Sequence, residues 1–297
     1  MQLVFSSNIS STTLKQWEAV LDKVEFNMEQ TPKTIFYCWF GHGELSAGSK
    51  KSLVSWERYA PGYSIVCCDE SMFDVDSHPW TKSAYNAGKY AYVSDYARFW
   101  AIYQFGGVYM DLGSELIRDI TSLCDKCSPF SAIEESTKTA TPGLIIASPP
   151  HSPMIAEVLS LYDSVSFSND PAFLREHTVN QMFSSVLGRH GFVREDRLQE
   201  FEGWTILPST AFSPIYGLGG YHIKSGTYSI HRSSSSWSEP KYKVKREIQD
   251  KCSPFLGRRL AQILGRVVGE FKCEGPVGGL RNIGAVVIDV LRRRTSL

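Results

Sequence analysis

The sequence lacks the features that assign many proteins to a class at sight. No stretch reaches eighteen uncharged apolar residues, so no membrane-spanning helix is expected. The first thirty residues hold neither a basic start nor an apolar run of leader length, and the chain reads as cytoplasmic. Its seven cysteines (Cys38, Cys67, Cys68, Cys124, Cys127, Cys252, Cys273) are an odd set without framework spacing. Adjacent Cys67 and Cys68 suit reduced thiols on a buried strand. Cys124 and Cys127 are spaced like half a metal or redox site, yet no second pair or nearby histidine accompanies them, so an ordinary loop is expected there.

Two nucleotide-binding fingerprints are missing as well. Gly41-His42-Gly43 is followed by Ser46 where a dinucleotide-binding turn needs a third glycine, and no G-x-x-x-x-G-K-[ST] occurs. Net charge is absent, with 31 Lys+Arg against 31 Asp+Glu. That balance conceals a division. Residues 238–297 carry 13 basic and 6 acidic side chains, a net +7, while residues 1–237 carry 18 and 25, a net −7. A nucleic-acid binder would keep its positive patch on the folded body, so nucleic acid is not an expected partner.

What is present is enough for a core: 297 residues, 42% hydrophobic, fit one domain with additions or two small ones. Asn8-Ile9-Ser10 is a sequon of the kind that arises by chance, and an amphipathic helix is expected around Leu14–Val24. Thr34–Phe40 reads as a buried strand closed by a glycine turn, Lys50–Tyr59 as a helix stopped by Pro61-Gly62, and Tyr63–Cys68 as a second strand. A helical region over Ser83–Phe105 and a strand at Val108 continue the βαβ alternation of a mainly parallel sheet. Ile120–Pro150 is rich in Ser, Thr and Pro and reads as surface loop or acceptor-side loop, with a short apolar Leu144–Ala147. Helices near Met154–Tyr162 and Thr178–Leu187 and strands near Trp204–Pro208 and Tyr228–His231 follow.

The most informative stretch is Ser94–Glu115, SDYARFWAIYQFGGVYMDLGSE. Ala91, Asp95, Arg98 and Ile102 share one helical stripe, so two opposite charges sit on a mostly apolar face. Two readings fit. The pair could be an intrahelical contact worth about 0.2 to 0.5 kcal/mol when exposed, or it could face a polar ligand, the carboxylate accepting from hydroxyls and the guanidinium donating from a fixed fork. After Gly106-Gly107, a short strand delivers Asp111 to its C-terminal end, where open α/β sheets place their ligands.

Ser94-Asp95-x-x-Arg98 followed by Gly106-Gly107-x-Tyr109-x-Asp111 resembles the DXD-containing glycosyltransferases of family 32, the group of capsular polysaccharide enzymes and initiating mannosyltransferases. In its core it is also similar to the catalytic domain of the glucosylating toxins. Ile35–Gly41, Ser55–Tyr63 and Tyr228–Trp237 resemble further family segments in the expected order. The resemblance implies a GT-A-type α/β fold, with a mainly parallel sheet flanked by helices, over residues 33–237. A helical extension (1–32) would precede it and a basic amphipathic helical tail (238–297) would follow. It implies transfer of a sugar from a nucleoside diphosphate sugar to a hydroxyl acceptor, with retention of configuration, in the assembly of bacterial surface polysaccharide or another glycan. The acceptor would be a saccharide or a lipid-linked saccharide.

It also implies roles. Asp95, Arg98 and Asp111 form the catalytic set, the first two on the donor sugar and Asp111 on the ribose or metal. Cys38, Trp39 and Tyr109 meet the nucleotide, and Ser94, Ser236 and Trp237 complete the diphosphate cradle. Trp39 could equally be core, and His231 could be merely solvated or a ligand of a divalent ion. One departure matters: Gly113 stands where the family's second Asp belongs. A Mn2+ or Mg2+ cofactor would then be held weakly by Asp111, with His231 and Glu115 as further ligands if the strand stays extended and Glu115 shares Asp111's face. The departure keeps open a nucleotide-sugar-binding subunit without transfer activity, and a sugar-nucleotide hydrolase.

In the basic tail, Phe255, Leu256, Leu260, Ile263, Leu264, Val267, Val268 and Phe271 fall mostly on one helical side, with Arg258, Arg259 and Arg266 opposite. Such a stripe suits an anionic membrane surface at the inner face of the membrane, or packing on protein.

Overall fold

The computed structural model describes residues 30–214 and 223–231, together with 263–276 and parts of 244–261. The helix expected at Leu14–Val24, the residues Ser236 and Trp237, and Arg258 and Arg259 lie outside the described residues.

Strand β1 (Thr34–Cys38) is followed by helix α1 (Ala47–Tyr59), β2 (Ser64–Cys68), α2 (Pro79–Asn86), α3 (Tyr90–Phe105) and β3 (Gly107–Tyr109). Then come β4 (Ser114–Leu116), α4 (Thr121–Cys127), β5 (Phe130–Ala132), β6 (Ile146–Ser148), α5 (Pro153–Asp163), α6 (Pro171–Glu176), α7 (Val179–Arg189), β7 (Gln199–Phe201), β8 (Trp204–Leu207) and β9 (Ser229–His231). Seven strands form one sheet in the order β2-β1-β3-β6-β5-β8-β7, and β4 pairs with β9 in a separate ribbon. β2, β1, β3, β5 and β8 run in one direction; β6 and β7 run against them. The expected mostly parallel sheet is thus present, with two antiparallel members.

Alternation along each strand builds a core on both faces. Phe36 and Tyr109 point into one cluster with Phe99, Phe183 and Trp204, while Ile35 and Val108 point into the other with Trp56, Phe130 and Phe212. Leu144–Ala147 is not surface loop: β6 lies at the centre of the sheet, and Thr139–Ser148 is buried throughout. Its three residues, flanked by prolines, are too short to announce themselves by periodicity.

Local chemistry fixes the element ends. The Ser46 hydroxyl caps α1 by accepting from the Ser49 N–H at 3.0 Å. The helical region expected over Ser83–Phe105 is two helices, broken where Gly88 adopts φ +66°. Gly106 and Gly107 then turn α3 directly into β3, at φ +64° and +103°. A Cβ on Gly106 would lie 2.7 Å from the Pro150 nitrogen, and one on Gly107 2.7 Å from the Thr34 carbonyl oxygen. No other residue type satisfies both the backbone conformation and the close approach.

From β1 the chain goes to β2 on one side and returns by α2 and α3 to β3 on the other. The C-terminal ends of β1 and β3 therefore flank a topological switch point, the place where such sheets leave a crevice for ligands. Among the described residues no helix is long and apolar enough to cross a membrane.

Candidate active site

Three elements meet at that crevice: the end of β1 with Cys38 and Trp39, the end of β3 with Asp111, and the face of α3 that carries Asp95 and Arg98. The Arg98 side chain crosses from the helix to the strand, 4% exposed. Its Nη2 donates to Asp95 Oδ1 at 2.7 Å, its Nε donates to the Ser94 carbonyl at 3.1 Å, and its Cζ lies 4.8 Å from the centre of the Tyr109 ring. The Tyr109 hydroxyl donates to Asp111 Oδ1 at 2.8 Å, and Arg98 Nη1 stands 3.4 Å from that same oxygen. The structure thus brings Asp95, Arg98, Tyr109 and Asp111 into one constellation.

The pair is not the exposed intrahelical contact. Arg98 Nη1 is a buried nitrogen without a hydrogen-bond partner, and among the described residues it is the one buried side-chain N or O atom so placed. An unsatisfied buried guanidinium N–H costs on the order of 1 to 3 kcal/mol or more, which a ligand hydroxyl or anion would recover. Burial raises the Asp95 carboxyl to about 7, with Asp111 pushing the same way and Arg98 opposing. Burial disfavours the Arg98 charge, but the neighbouring Asp111 and Asp95 carboxylates outweigh it, so the guanidinium is held more firmly protonated than usual. Burial likewise keeps the Tyr109 phenol protonated.

Asp111 is held from three sides. Its N–H donates to the Gly143 carbonyl at 2.9 Å, Tyr109 holds Oδ1, and Oδ2 lies over Gly143, where a Cβ would sit 2.9 Å from Asp111 Cγ and 3.2 Å from Arg98 Nη1. Its side chain remains 36% exposed, open to a ligand. Gly143 was not legible as a site residue; the one signal is the Pro142-Gly143 turn dipeptide. Tyr162 was missed too. Its hydroxyl donates to the Asp95 carbonyl at 3.2 Å and ties α5 to the active helix.

Ser94 contributes its carbonyl, which also lies 3.9 Å from the Cys38 thiol, while its hydroxyl turns back to the Tyr90 carbonyl at 3.1 Å. Cys38 pairs in register with Cys68, whose thiol is pushed up by the bond to Cys38 and by burial. Trp39 is half-buried and not core, and its indole N–H donates to the Gly43 carbonyl at 2.5 Å. The loop beside it is locked by Glu70 Oε1, which accepts from the Gly41 N–H at 2.7 Å and the Tyr85 hydroxyl at 2.9 Å.

The expected metal ligands are not brought together. The strand does not stay extended past Asp111: the Ser114 N–H donates to the Asp111 carbonyl at 2.8 Å, closing a turn over Leu112-Gly113. Glu115 consequently loses Asp111's face and lies 2.8 Å from Lys51 on α1. His231 pairs across the ribbon with Ser114. Among the described residues no three His, Cys, Asp or Glu side chains form a metal-holding group. A preformed cage of Asp111, Glu115 and His231 does not fit this arrangement.

Residues 46–130 match a sequence family described as a glycosyltransferase sugar-binding region containing DXD motif. The matched segment includes Ser94, Asp95, Arg98, Tyr109 and Asp111; Cys38 and Trp39 precede it and His231 follows it. Among solved structures, a chain titled PaToxG Glycosyltransferase is similar over 60% of this chain and 76% of its own length, at 14% identity and a TM-score of 0.44. No curated protein matches the sequence. The constellation built from α3 and β3 therefore lies within a segment similar to the sugar-binding region of DXD glycosyltransferases.

Proposed function

We propose that this protein is a glycosyltransferase of GT-A type that moves a sugar from a nucleoside diphosphate sugar to the hydroxyl of a saccharide or lipid-linked saccharide. In this reading residues 33–237 are the transferase domain. The enzyme works on the cytoplasmic side in bacterial surface polysaccharide or related glycan assembly, with retention of configuration. The observation that carries the reading is the buried Arg98 Nη1, which makes no hydrogen bond although it lies within ion-pair distance of Asp111, at the switch point of the sheet beside Asp95.

In such a transfer with retention the bond from the anomeric carbon to the diphosphate breaks, and negative charge grows on the leaving group. The acceptor hydroxyl bonds that carbon from the face the diphosphate leaves, while its proton passes to the departing diphosphate. Arg98 is a fixed buried cation whose free N–H can bond a donor oxygen without reorganising. Asp95 and Asp111 accept from sugar or ribose hydroxyls. Because the Asp95 carboxyl titrates near neutral pH, it can both accept and donate there. Trp39 offers a ring face at the rim for the nucleobase. Ser236 and Trp237 belong to the proposed diphosphate cradle. Mn2+ or Mg2+, when bound, would add positive charge at the diphosphate, with Asp111 as its protein contact.

A panel of nucleoside diphosphate sugars tests the reading by thermal shift. The true donor at about a hundred times its Kd stabilises the fold by about 2.7 kcal/mol, and transfer and hydrolysis are then measured separately. If no nucleoside diphosphate sugar raises the melting temperature, the reading fails. Gly113 in place of a second carboxylate favours one alternative, a donor-binding subunit, which binding without turnover would identify. Donor consumption independent of any acceptor would identify a hydrolase.

A further inference from the structure

The turn that carries Trp39 is held in shape by residues outside the crevice. At its start the Trp39 N–H donates to the Cys68 carbonyl at 3.1 Å, and Phe40 is buried against Phe73. The chain then curls through two consecutive left-handed residues, Gly41 at φ +88° and His42 at φ +57°. That curl brings the Gly43 carbonyl to the Trp39 indole N–H at 2.5 Å. A residue with a Cβ disfavours this backbone region, so the curl needs support from its neighbours.

Two elements supply it. Glu70, just past β2, accepts with Oε1 from the Gly41 N–H at 2.7 Å and from the Tyr85 hydroxyl at 2.9 Å. Tyr90 covers Gly41 directly: a Cβ there would stand 2.7 Å from the Tyr90 Cζ and nearer still to Cε2. Tyr85 lies on α2 and Tyr90 opens α3, and the turn at Gly88 sets their rings edge to face at 5.2 Å. The Trp39 turn is thereby tied to the first turn of the helix that carries Asp95 and Arg98.

The core does not require these bonds. Gly41 is half-buried, and His42 and Gly43 are exposed, so water could satisfy their backbone groups in place of Glu70. What the carboxylate fixes is the shape of the turn, and the turn decides where the indole stands relative to Arg98. A nucleotide that meets a seat already formed is spared the cost of ordering it.

We propose that Glu70 is a positioning residue for the donor, holding the Gly41–Gly43 turn so that Trp39 stays in place for the nucleobase while Arg98 grips the sugar end. The inference rests on the transferase reading, with the nucleobase at Trp39. The test is isothermal titration of the full chain with UDP, GDP, ADP and CDP in the presence of Mg2+. Glu70→Ala should weaken the best-bound nucleotide at least about tenfold, at a melting temperature within about 4 °C of the parent. Glu70→Gln, whose amide oxygen can accept both bonds, should stay within about threefold. Tyr85→Phe removes one of the two bonds and keeps the carboxylate; it should cost about two- to tenfold, and it serves where Glu70→Ala fails to fold. In a Trp39→Ala background Glu70→Ala should cost less than about twofold more, because both changes remove the same seat. Unchanged affinity in Glu70→Ala, an equal loss in Glu70→Gln, or a full further loss in the Trp39→Ala background overturns the proposal and leaves the transferase reading standing. If none of these nucleotides binds the parent chain, the transferase reading fails first and takes the proposal with it.

Discussion

Gly143→Ala is the sharpest perturbation of the constellation, because it adds one methyl group at the point where Asp111 and Arg98 converge. The new Cβ would lie 2.9 Å from Asp111 Cγ, nearer still to Oδ2, and 3.2 Å from Arg98 Nη1. Ordinary contact begins at about 3.4 Å, so the carboxylate must retreat by about 0.5 Å or more. The backbone cannot retreat instead, since the Gly143 carbonyl accepts from the Asp111 N–H at 2.9 Å and the Ser114 hydroxyl approaches Gly143 and Leu144 from the same side. A shift of that size stretches the 2.8 Å bond from Tyr109 past useful length. A hydrogen bond to a charged group contributes about 1.5 to 3 kcal/mol, which corresponds to roughly a 10- to 150-fold loss in kcat/KM. Gly188→Ala on α7, where a Cβ meets nothing within 4 Å, is the matched control and should stabilise by about 0.4 to 1 kcal/mol without touching turnover. Steady-state kinetics with the cognate donor, alongside thermal melting, gives both readings. Gly143→Ala with kcat/KM within twofold of the parent would refute the reading of Asp111 as a positioned ligand.

Arg98→Lys keeps the charge but loses the fork, so turnover should fall at least about tenfold; Arg98→Ala should also lower the melting temperature, because it strands the buried Asp95. Since burial raises the folded Asp95 carboxyl to about 7, stability linked to its proton is full below the ordinary carboxylate range and is lost as the pH rises through about 7. Asp95→Asn should flatten that part of a melting-temperature series from pH 5 to 8. At the surface, His190 bonds Glu157 at 2.6 Å and Glu202 at 2.7 Å, and these bonds raise its pKa while His190 and Arg189 lower that of Glu157. The His190 contribution is lost as pH rises through its raised value and the Glu157 contribution as pH falls through its lowered one, so His190→Gln should destabilise more at pH 5.5 than at pH 8, read by thermal melting. Excess chelator should reduce transfer, Mn2+ or Mg2+ should restore it, and Gly113→Asp should lower the metal concentration needed; full activity in chelator would show that Arg98 suffices.

Short-range patterns explain what was legible in the sequence. β1, β2, α1 and α5 have lengths and periodicities that set them apart, and Ser94-Asp95-x-x-Arg98 with Gly106-Gly107 is contiguous enough to show a helix handing a carboxylate to a strand. The structure places those residues together. What escaped was decided by partners distant in sequence. β5 and β6 are three residues each, and only pairing with β3 and β8 makes strands of them. Gly143 is invisible for the same reason: its importance is the absence of a side chain beneath Asp111, thirty-two positions away in the chain.

The turn after Asp111 links the missing carboxylate to the rest of the site. Leu112-Gly113 reverses the chain, so that the Ser114 carbonyl accepts from the Trp56 indole at 2.7 Å and the Leu116 N–H donates to Ser55 at 2.9 Å. Those two bonds lock β4 against α1 and commit Glu115 to Lys51. Moving Glu115 to the crevice would break both bonds and bury their donors unsatisfied, each costing about 1 to 3 kcal/mol. Glu115 therefore cannot stand in for the absent second Asp, and Glu115→Gln should alter stability through Lys51 without changing metal dependence. The fixed positive charge at the crevice is Arg98, buried, held by Asp95 and still one hydrogen bond short. A site so built has its strongest demand for a ligand at the guanidinium, and the order of losses should follow: donor binding falls further on removing Arg98 than on removing metal.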